Sequence, residues 1–564
     1  MKKQVIHEKF EFTNVRELIE WAGDHHGERN AYSYREKASD KDVCKVSFKK
    51  LRDDVRALTS EFVAMGVDGK HCILIGKFSY QWVLTYYATL CAGGVVVPLD
   101  RDWLAEDLAD TAVKANISFL FCDEELKEKA AVIAESAKLE TPVTYLLAKE
   151  EERSLSSLVA EGAEKFSTAP DAYFNAAIDP MRLSLLVFTS GTTGKGKGVM
   201  LNQNAILRDM SEVIPYIDFA DKTVGVLPPH HTYGSTVMII GHTMIGCEIY
   251  ISSGIRYVQR ELKDQTPGHM VLVPLYLETF YRKIWANIKE QGKEKIVNNM
   301  IKLCNTLHLS RGIRVKLFKS IHAAFGGKVK MIITGGAPVN PDILHFFQSI
   351  GISVLNGYGI TECAPLISCN RNKYQKKGSV GTPIIGEEVK IADPDENGEG
   401  EICVKGPNVM IGYYEDPEAT AAVFDEEGFF KTGDYGKVDE EGWLYITGRL
   451  KNLIIFSNGK NVYPEEIETE LSRIYGVNEV VVYAGESKSN PEKEVIVAEI
   501  FPDFDGLKEK GIEDVKAYFT EEVKKANARM VSYKAVGSIK IRNVEFPKNT
   551  SKKITRFAID KSID

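Results

Sequence analysis

The sequence contains nine cysteines but no CxxC pair. Zinc-binding and redox motifs usually place two cysteines close together, and a disulfide framework uses an even number of them. We therefore expect neither a cysteine-based metal site nor a disulfide framework, which fits a reducing, cytoplasmic location. The N-terminal residues Met1–Glu8 lack the apolar core of a secretion signal, so we expect no such signal.

Long apolar runs are also scarce. One long uncharged stretch, Trp82–Leu99, has the length of a membrane helix. It is interrupted by Gly93, Gly94 and Pro98, and Val95–Val97 is typical of a strand. We therefore expect a helix, a turn and a buried strand rather than a transmembrane segment. Peripheral contact with a membrane is left open.

The chain lacks an excess of positive charge. It has 71 Lys and Arg against 79 Asp and Glu, a net charge of −8. This balance argues against general nucleic-acid binding and favours small-molecule partners. With 564 residues and a hydrophobic fraction of 44%, the chain is expected to form two or more globular domains.

Apolar strand-like runs alternate with helical stretches through most of the first 400 residues, which predicts an α/β fold with buried sheets. We expect two βαβ-type subdomains, then a small β-rich subdomain from about Glu387 to Arg449, and a small α+β C-terminal domain. The predicted domains are residues 1–450 and 451–564. Residues 284–325 predict a helical, lysine-rich insertion, whose charge we interpret as a solvated helix face.

The most informative segment follows an apolar run, Leu185–Phe188, that predicts a buried strand. The next residues combine hydroxyls, glycines and lysines, which is the composition of a loop that binds polyphosphate. It is not a Walker loop, because Lys197 is followed by Gly198 where Ser or Thr is required. The glycine spacing also differs from the dinucleotide fingerprint. A flexible glycine-rich turn is the alternative.

A second motif, Asn356–Glu362, combines glycines with an aromatic ring, a hydroxyl and a carboxylate. Tyr358 offers a flat face for adenine, Thr361 a donor for phosphate, and Glu362 a hard oxygen ligand for magnesium. In a third motif, Asp434 and Arg449 could together hold ribose hydroxyls. The alternatives are a strand-ending turn with a surface glutamate and a surface ion pair.

Three weaker motifs are ambiguous on their own. Leu227–Gly234 contains adjacent histidines, His230 and His231, which could be a metal pair, although no further ligands are apparent. Ile332–Pro338 predicts a strand followed by a glycine-rich turn. Glu545–Ile554 alone would be interpreted as a basic tail.

Together these motifs resemble those of the adenylate-forming superfamily, which includes acyl-CoA synthetases, peptide-synthetase adenylation domains and luciferases. The resemblance extends from Ala92 to Lys553 with six motifs in the family's order. Two positions depart from the pattern: Gly196 stands where proline is usual, and Lys552 replaces a common glycine. Register to Ile554 selects Lys553 as the matching lysine.

The resemblance implies a role for each matching residue. These are the phosphate loop Thr189, Ser190, Gly191, Thr192, Thr193, Gly194 and Lys197; the adenine and acyl turn Gly335, Gly336 and Ala337; the adenine site Asn356, Gly357 and Tyr358; Thr361 at the α-phosphate; magnesium at Glu362 and Thr192; His231 as a gate of the acyl pocket; the ribose pair Asp434 and Arg449; Lys451 as the hinge of a mobile C-terminal domain; Gly459 near the pantetheine of CoA; and Lys553 as the catalytic lysine of adenylation.

The resemblance implies an AMP-forming ligase that uses ATP, Mg²⁺ and coenzyme A. The helical insertion and the ending Phe546–Arg556 look more like long-chain fatty acyl-CoA synthetases than acetate or aryl enzymes. The expected substrate is therefore a medium- or long-chain fatty acid. Two alternatives remain: an acyl-carrier-protein ligase or free-standing adenylation enzyme, and a non-catalytic regulator that binds ATP or an acyl-adenylate.

Overall fold

Parallel strands joined by helices build the first part of the chain, as the alternation of apolar and helical segments predicts. The computed structural model describes residues 5–147, 153–189, 196–372, 374–456, 461–486, 495–548 and 554–563. The predicted α/β class, with a small β-rich sheet between Glu388 and Arg449 and an α+β C-terminal part, is confirmed.

The strands in the described ranges are numbered in chain order. They are β1 Asn30–Tyr34, β2 Cys44–Ser47, β3 His71–Ile75, β4 Val95–Leu99, β5 Phe119–Cys122, β6 Thr144–Tyr145, β7 Leu183–Thr189, β8 Lys197–Asn202, β9 Lys222–Gly225, β10 Glu248–Ile251, β11 His269–Leu272, β12 Met331–Thr334, β13 Ser353–Gly359, β14 Leu366–Cys369, β15 Thr382–Pro383, β16 Glu388–Ala392, β17 Gly400–Lys405, β18 Gly412–Tyr413, β19 Phe430–Val438, β20 Leu444–Arg449, β21 Ile454–Ile455, β22 Asn461–Val462, β23 Val477–Gly485, β24 Val495–Pro502 and β25 Ser538–Ile541.

The α-helices are numbered in the same way. They are α1 Val15–His26, α2 Phe48–Ala64, α3 Tyr80–Cys91, α4 Ala105–Lys114, α5 Lys127–Ser136, α6 Leu155–Thr168, α7 Pro170–Phe174, α8 Gln203–Val213, α9 Gly241–Met244, α10 Val258–Gln265, α11 Pro274–Glu290, α12 Glu294–Thr306, α13 Arg311–Leu317, α14 Lys319–Ala324, α15 Pro341–Ser349, α16 Pro417–Val423, α17 Pro464–Leu471, α18 Phe504–Glu509 and α19 Val515–Asn527. A π-helix, Tyr233–Ile240, leads directly into α9.

The largest sheet has the strand order β18-β8-β7-β4-β3-β5-β6, with parallel pairing from β7 through β6. Strands β4 and β5 are buried along their whole length, which explains why they are continuous apolar runs in the sequence. The stretch Trp82–Leu99 forms most of α3, a turn at Gly93 with φ 76° and strand β4, as predicted.

Two other sheets complete this part of the fold. One has the order β2-β1-β10-β9 and the other β11-β12-β13-β14-β15. The predicted helical insertion, residues 284–325, forms the end of α11 and all of α12, α13 and α14. Its buried side chains, among them Val297 and Cys304, pack into the apolar core that includes strands β11 and β12.

The chain divides into two compact units. The first comprises Met1–Pro338, Ile343–Glu388 and Lys405–Gly428, and the second Val339–Asp342, Val389–Val404 and Phe429–Asp564. The second unit contains the antiparallel sheet β16-β17-β19-β20 and the sheet β23-β24-β25, which packs with helices α17 and α19 around its own apolar core. In the described part of the chain, every helix is too short or too polar to cross a bilayer.

A buried histidine pair connects α9 to the start of β11. His242 Nε2 lies 2.9 Å from His269 Nε2. The backbone N–H of Ala220 donates to His269 Nδ1 at 3.1 Å, while His242 Nδ1 lies 3.0 Å from the carbonyl oxygen of Val237. His242 Nδ1 therefore carries a proton and His269 Nδ1 does not, so His269 Nε2 donates to His242 Nε2. Both rings are neutral.

Cys247 lies beside this pair, and its sulfur and the two histidine nitrogens are within 4.8 Å of one another. The hydrogen bonds already occupy the nitrogen lone pairs that a metal ion would need. The cluster is therefore a structural hydrogen-bonded pair. Burial lowers the pKa of His242 to about 4, and burial together with His242 lowers the pKa of His269 well below its usual value.

This pair predicts acid sensitivity of the first unit. The unfolded histidines take up protons near pH 6.5, whereas folded His242 does so only near pH 4. The stabilisation that comes from keeping His242 neutral is therefore complete above pH 6.5 and is lost as the pH falls toward 4. For each histidine, the free energy of unfolding should decrease by no more than about 1.4 kcal/mol per pH unit. We expect the urea midpoint of unfolding to fall over this pH range. The variant His269→Gln should show a weaker dependence of the urea midpoint on pH. His308→Asn, at an exposed histidine, is the control; an unchanged slope in His269→Gln would contradict the assignment.

Candidate active site

The predicted phosphate loop joins two antiparallel strands of the largest sheet. Thr189 ends β7 and Lys197 begins β8, and the two residues are register partners. The Thr189 hydroxyl donates to the Lys197 carbonyl at 3.4 Å. A Cβ atom at Gly196 would lie 2.7 Å from the Thr189 carbonyl oxygen, so the chain passes very close to itself here. The other predicted loop residues, Ser190, Gly191, Thr192, Thr193 and Gly194, lie outside the described residues.

Tyr413 connects this loop to the second motif. Strand β18 pairs with β8, which places Tyr413 opposite Val199. The ammonium group of Lys197 lies 4.5 Å from the centre of the Tyr413 ring, and the Tyr413 hydroxyl donates to Glu362 Oε1 at 3.0 Å. Burial and the Glu362 carboxylate raise the pKa of Tyr413, so its hydroxyl remains a donor. One side chain thus contacts both a loop lysine and the predicted magnesium ligand.

Thr361 and Glu362 form a short 3-10 turn, Thr361–Cys363, immediately after β13. Backbone hydrogen bonds hold the turn from both sides. Met410 N–H donates to the Glu362 carbonyl at 2.7 Å, and Ile360 N–H donates to the Pro365 carbonyl at 2.8 Å. The backbone that carries the carboxylate is therefore fixed independently of its side chain.

A buried carboxyl group supports the far side of this turn. Asp209 on α8 accepts hydrogen bonds at Oδ1 from Leu366 N–H at 2.9 Å and from Asn408 Nδ2 at 3.2 Å. Asn408 Nδ2 also donates to the Leu366 carbonyl at 2.7 Å. Asp209 is fully buried, and burial raises the pKa of its carboxyl group well above the usual range. This three-residue network fixes the chain just after the Thr361–Glu362 turn.

The predicted adenine motifs lie on neighbouring strands. Thr334 at the end of β12 is the register partner of Asn356 on β13. The turn Gly335, Gly336 and Ala337 therefore begins beside Asn356, Gly357 and Tyr358. A Cβ atom at Gly335 would lie 2.9 Å from the Gly357 carbonyl oxygen, and Gly336 has φ 84°. Glycine is thus required at both positions by contact or conformation.

A cavity lined mainly by apolar groups opens beside these glycines. No charged residue lines it among the described residues. Its lining combines backbone of both glycine motifs with side chains of α8, the π-helix and β13: Met210, Val213, Ile217, Phe219, Tyr233, Val237, Ile333, Thr334, Gly335, Gly336, Leu355, Gly357, Gly359, Pro365, Leu366, Cys369 and Asn370. The buried Thr334 hydroxyl has no hydrogen-bond partner in the described structure.

The two adjacent histidines lie just before the π-helix that lines part of this cavity. His231 lies two residues before Tyr233, which begins the π-helix and lines the cavity, but His231 itself is not among the lining residues described. The rings of His230 and His231 are 4.3 Å apart, and His230 Nε2 lies 3.2 Å from Asp100 Oδ2. Within the described ranges neither histidine belongs to a cluster of three metal-ligating side chains.

In the second unit, Asp434 on β19 and Arg449 on β20 are register partners. Arg449 Nε donates to Asp434 Oδ1 at 2.9 Å; the Asp434 side chain is buried and that of Arg449 is 45% exposed. The predicted pair is therefore in contact. Lys451, which is exposed, follows in a 3-10 turn, Leu450–Asn452.

The remaining predicted residues of this unit, Gly459 and Lys553, lie outside the described residues. The chain on either side of Lys553 is nevertheless described. Lys548 and Ile554 form an antiparallel bridge, and Thr555 N–H donates to the Pro547 carbonyl at 2.7 Å. The described residues on the two sides of Lys553 therefore pair with each other.

Sequence inspection did not single out Tyr413, Asp209 or Asn408. Tyr413 stands in a Gly-Tyr-Tyr segment whose pairing with β8 is a long-range contact without a local signal. The sequence pattern does distinguish Asp209, because this carboxylic acid lies on the apolar face of α8, three residues after the buried Ile206. A carboxyl group at such a position indicates a specific buried contact.

Comparisons with known proteins agree with this arrangement. Residues 19–414 match the family described as AMP-binding enzyme. Long-chain-fatty-acid–CoA ligase 5 of Rattus norvegicus is 30% identical over 498 residues, which cover 82% of this chain and 71% of that protein. A chloroplastic long-chain-fatty-acid–acyl-carrier-protein ligase of Arabidopsis thaliana is 28% identical over 521 residues, covering 78% of this chain and 66% of that protein.

The fold is similar to that of ATP-bound MatB from Rhodopseudomonas palustris, with a TM-score of 0.75 at 24% identity over 96% of this chain and 97% of that one. The family match covers well over half of the sequence and includes the phosphate loop, the glycine turns and Glu362. The chain therefore belongs to the family of AMP-binding enzymes and is an adenylate-forming ligase, as its motifs predict.

Proposed function

We propose that this protein activates a medium- or long-chain fatty acid with ATP and transfers the acyl group to coenzyme A. The uncharged cavity beside Gly335 and Gly357 is the observation that carries the proposal. Its apolar side chains favour an aliphatic tail, and a second charged group on the acid would find no counter-charge in the described lining. The rat relative, whose name specifies long-chain fatty acids, supports the same substrate class.

The residues around Glu362 fit a nucleotide with magnesium. Glu362 offers a carboxylate oxygen of the type that magnesium prefers, and Thr192 would add a hydroxyl. The Thr334 hydroxyl, which has no partner in the described structure, and the backbone of Gly335 and Gly336, which carries no side chains, could form hydrogen bonds with a ligand beside the cavity. Magnesium would neutralise phosphate charge and favour departure of pyrophosphate.

The first step joins the acid to AMP. The carboxylate oxygen of the fatty acid attacks the α-phosphorus of ATP, and the bond to pyrophosphate breaks. Lys197 and the loop residues around it stabilise the departing phosphates, while Thr361 donates to the α-phosphate oxygens. Lys553 would hold the carboxylate and the α-phosphate together, a proximity effect.

In the second step the thiol of CoA attacks the acyl carbonyl and AMP leaves. We assign Asp434 and Arg449 to the ribose, because the ion pair presents a fixed carboxylate to two hydroxyls. His231 would gate the acyl pocket, and Gly459 would approach pantetheine. Residues 451–564 would act as a lid that turns at Lys451 between the steps, withdrawing Lys553.

An acyl-carrier-protein ligase is the second candidate, because the Arabidopsis relative carries that name. The two functions share the first step and differ in the thiol that accepts the acyl group. The acceptor, rather than the acid, therefore decides between them.

The deciding experiment measures pyrophosphate and AMP release over saturated acids from acetate to stearate. We expect release to rise steeply from short to long chains and thioester to form with CoA. Dicarboxylic acids of equal length are the control for the uncharged cavity and should react at least about tenfold more slowly. Thioester formation only with acyl-carrier protein would favour the second candidate; preference for short or dicarboxylic acids would overturn the proposed substrate.

Tyr413→Phe tests whether the tyrosine hydroxyl positions Glu362. The variant keeps the ring beside Lys197 but removes the hydrogen bond to Glu362, so we expect kcat for pyrophosphate release to fall by about tenfold and the magnesium concentration needed for half-maximal rate to rise. Tyr414→Phe, whose ring packs near His71, is the matched control and should retain activity. Equal magnesium dependence in wild type and Tyr413→Phe would show that the contact does not position the ligand.

Adjacent lysines allow a direct test of the closing motif. Lys553→Ala should reduce formation of acyl-adenylate by at least about a hundredfold but spare thioester formation from preformed acyl-adenylate, because the lysine serves only the first step. Lys552→Ala removes the neighbouring charge and should leave both steps nearly unchanged. Rapid-quench measurement of acyl-adenylate and of thioester distinguishes the effects of the two substitutions. The reverse pattern would transfer the role to Lys552, and equal loss of both steps would contradict the two-step assignment.

A further inference from the structure

Helix α12 presents an apolar stripe to solvent. Ile296 is 58% exposed, Leu303 50% and Leu307, which caps the helix, 58%. At 100° per residue these positions fall within about 40° of one another, so they form one line along the helix. They span about 16 Å, the length of three turns.

This stripe is not the side of α12 that stabilises the fold. Val297 and Cys304 are buried, and Ile301 is half-buried; all three pack into the core of the first unit. The helix therefore has a buried apolar side and a separate exposed one. The next helix, α13, adds two exposed apolar side chains one turn apart, Ile313 at 44% and Leu317 at 40%.

The surroundings of the stripe are strongly basic. Between Arg282 and Lys330 the sequence has 12 Lys and Arg but only two acidic residues, Glu290 and Glu294, within a chain of net charge −8. Lys295 and Lys302 lie on α12 and are exposed. Neither forms an ion pair with another described residue.

The two helices are held rigidly together. Arg314 of α13 donates to the carbonyl oxygens of Cys304 and Leu309, to the side chain of Asn305 and to the carbonyl oxygen of Ser349. These hydrogen bonds hold the C-terminal end of α12, so the backbone that carries Leu303 and Leu307 is fixed. The surface requires no folding on contact.

We propose that α12 and α13 form a docking surface for a membrane rich in anionic phospholipid. Exposed leucine and isoleucine side chains can enter the boundary between headgroups and acyl chains while the flanking lysines contact lipid phosphates. A second copy of the chain would bring two like-charged surfaces together, which disfavours that occupant. Nucleic acid would use the lysines but gain little from the apolar stripe.

Vesicle flotation of the full-length protein tests this proposal. Vesicles of phosphatidylcholine alone are compared with vesicles containing about one third phosphatidylglycerol. The variants are Leu303→Gln with Leu307→Gln, and Lys295→Gln with Lys302→Gln. Matched controls are Leu104→Gln with Val113→Gln, at exposed apolar positions elsewhere, and Lys508→Gln with Lys516→Gln, at exposed lysines. Urea midpoints and ligase activity without vesicles show that each variant is folded.

We expect the wild-type protein to float with anionic vesicles and to be released by high salt. Each test pair should lower the partition coefficient by about tenfold or more, while both control pairs should bind like wild type. Unchanged partition of both test pairs, or salt-insensitive binding to phosphatidylcholine alone, would overturn the proposal. A dimer in size-exclusion chromatography that the leucine pair abolishes, without vesicle binding by wild type, would instead assign this surface to a second copy.

Discussion

Tyr413 brings together two parts of the chain that are distant in sequence. Its ring lies beside the ammonium group of Lys197, and its hydroxyl donates to the carboxylate of Glu362. The short pairing of β18 with β8 makes this possible, because it fixes the tyrosine backbone against the strand that begins at Lys197. A cation and a carboxylate that are proposed to contact the same polyphosphate therefore share one neutral neighbour.

The same turn depends on a buried carboxyl group. Asp209 is far from solvent, and burial raises the pKa of its carboxyl group well above the usual range. A carboxyl group in such surroundings is costly unless its hydrogen bonds are made, and here Leu366 N–H and Asn408 supply two of them. The network joins α8, which lines the cavity, to the chain that carries Glu362. The packing of the cavity and the position of Glu362 are therefore physically linked.

Much of this arrangement follows from local sequence. Continuous apolar runs predict buried strands such as β4, and the glycines after β12 and within β13 indicate where backbone approaches closely. The role of Tyr413 cannot be predicted from local sequence, because its contact partners come together only through long-range strand pairing. The sequence predicts that the insertion at 284–325 is helical and that its charges lie on a solvated face. Apolar residues recur on two sides of α12, and only the packing decides that Val297 is buried and Leu303 exposed.

Selection among acids should depend mainly on one side of the cavity. The glycine positions on the β13 side are fixed by close contacts: a Cβ atom at Gly359 would lie 2.1 Å from the Pro365 carbonyl oxygen, so this position cannot accept a side chain without displacement. Met210 and Val213, in contrast, project from α8, and Phe219 follows that helix. Each methylene removed from or added to an apolar pocket changes binding by about 1–3 kcal/mol. Under the proposed function, exchange of these side chains should therefore change the preferred chain length. The cavity thus combines glycine positions that cannot change with apolar side chains that can.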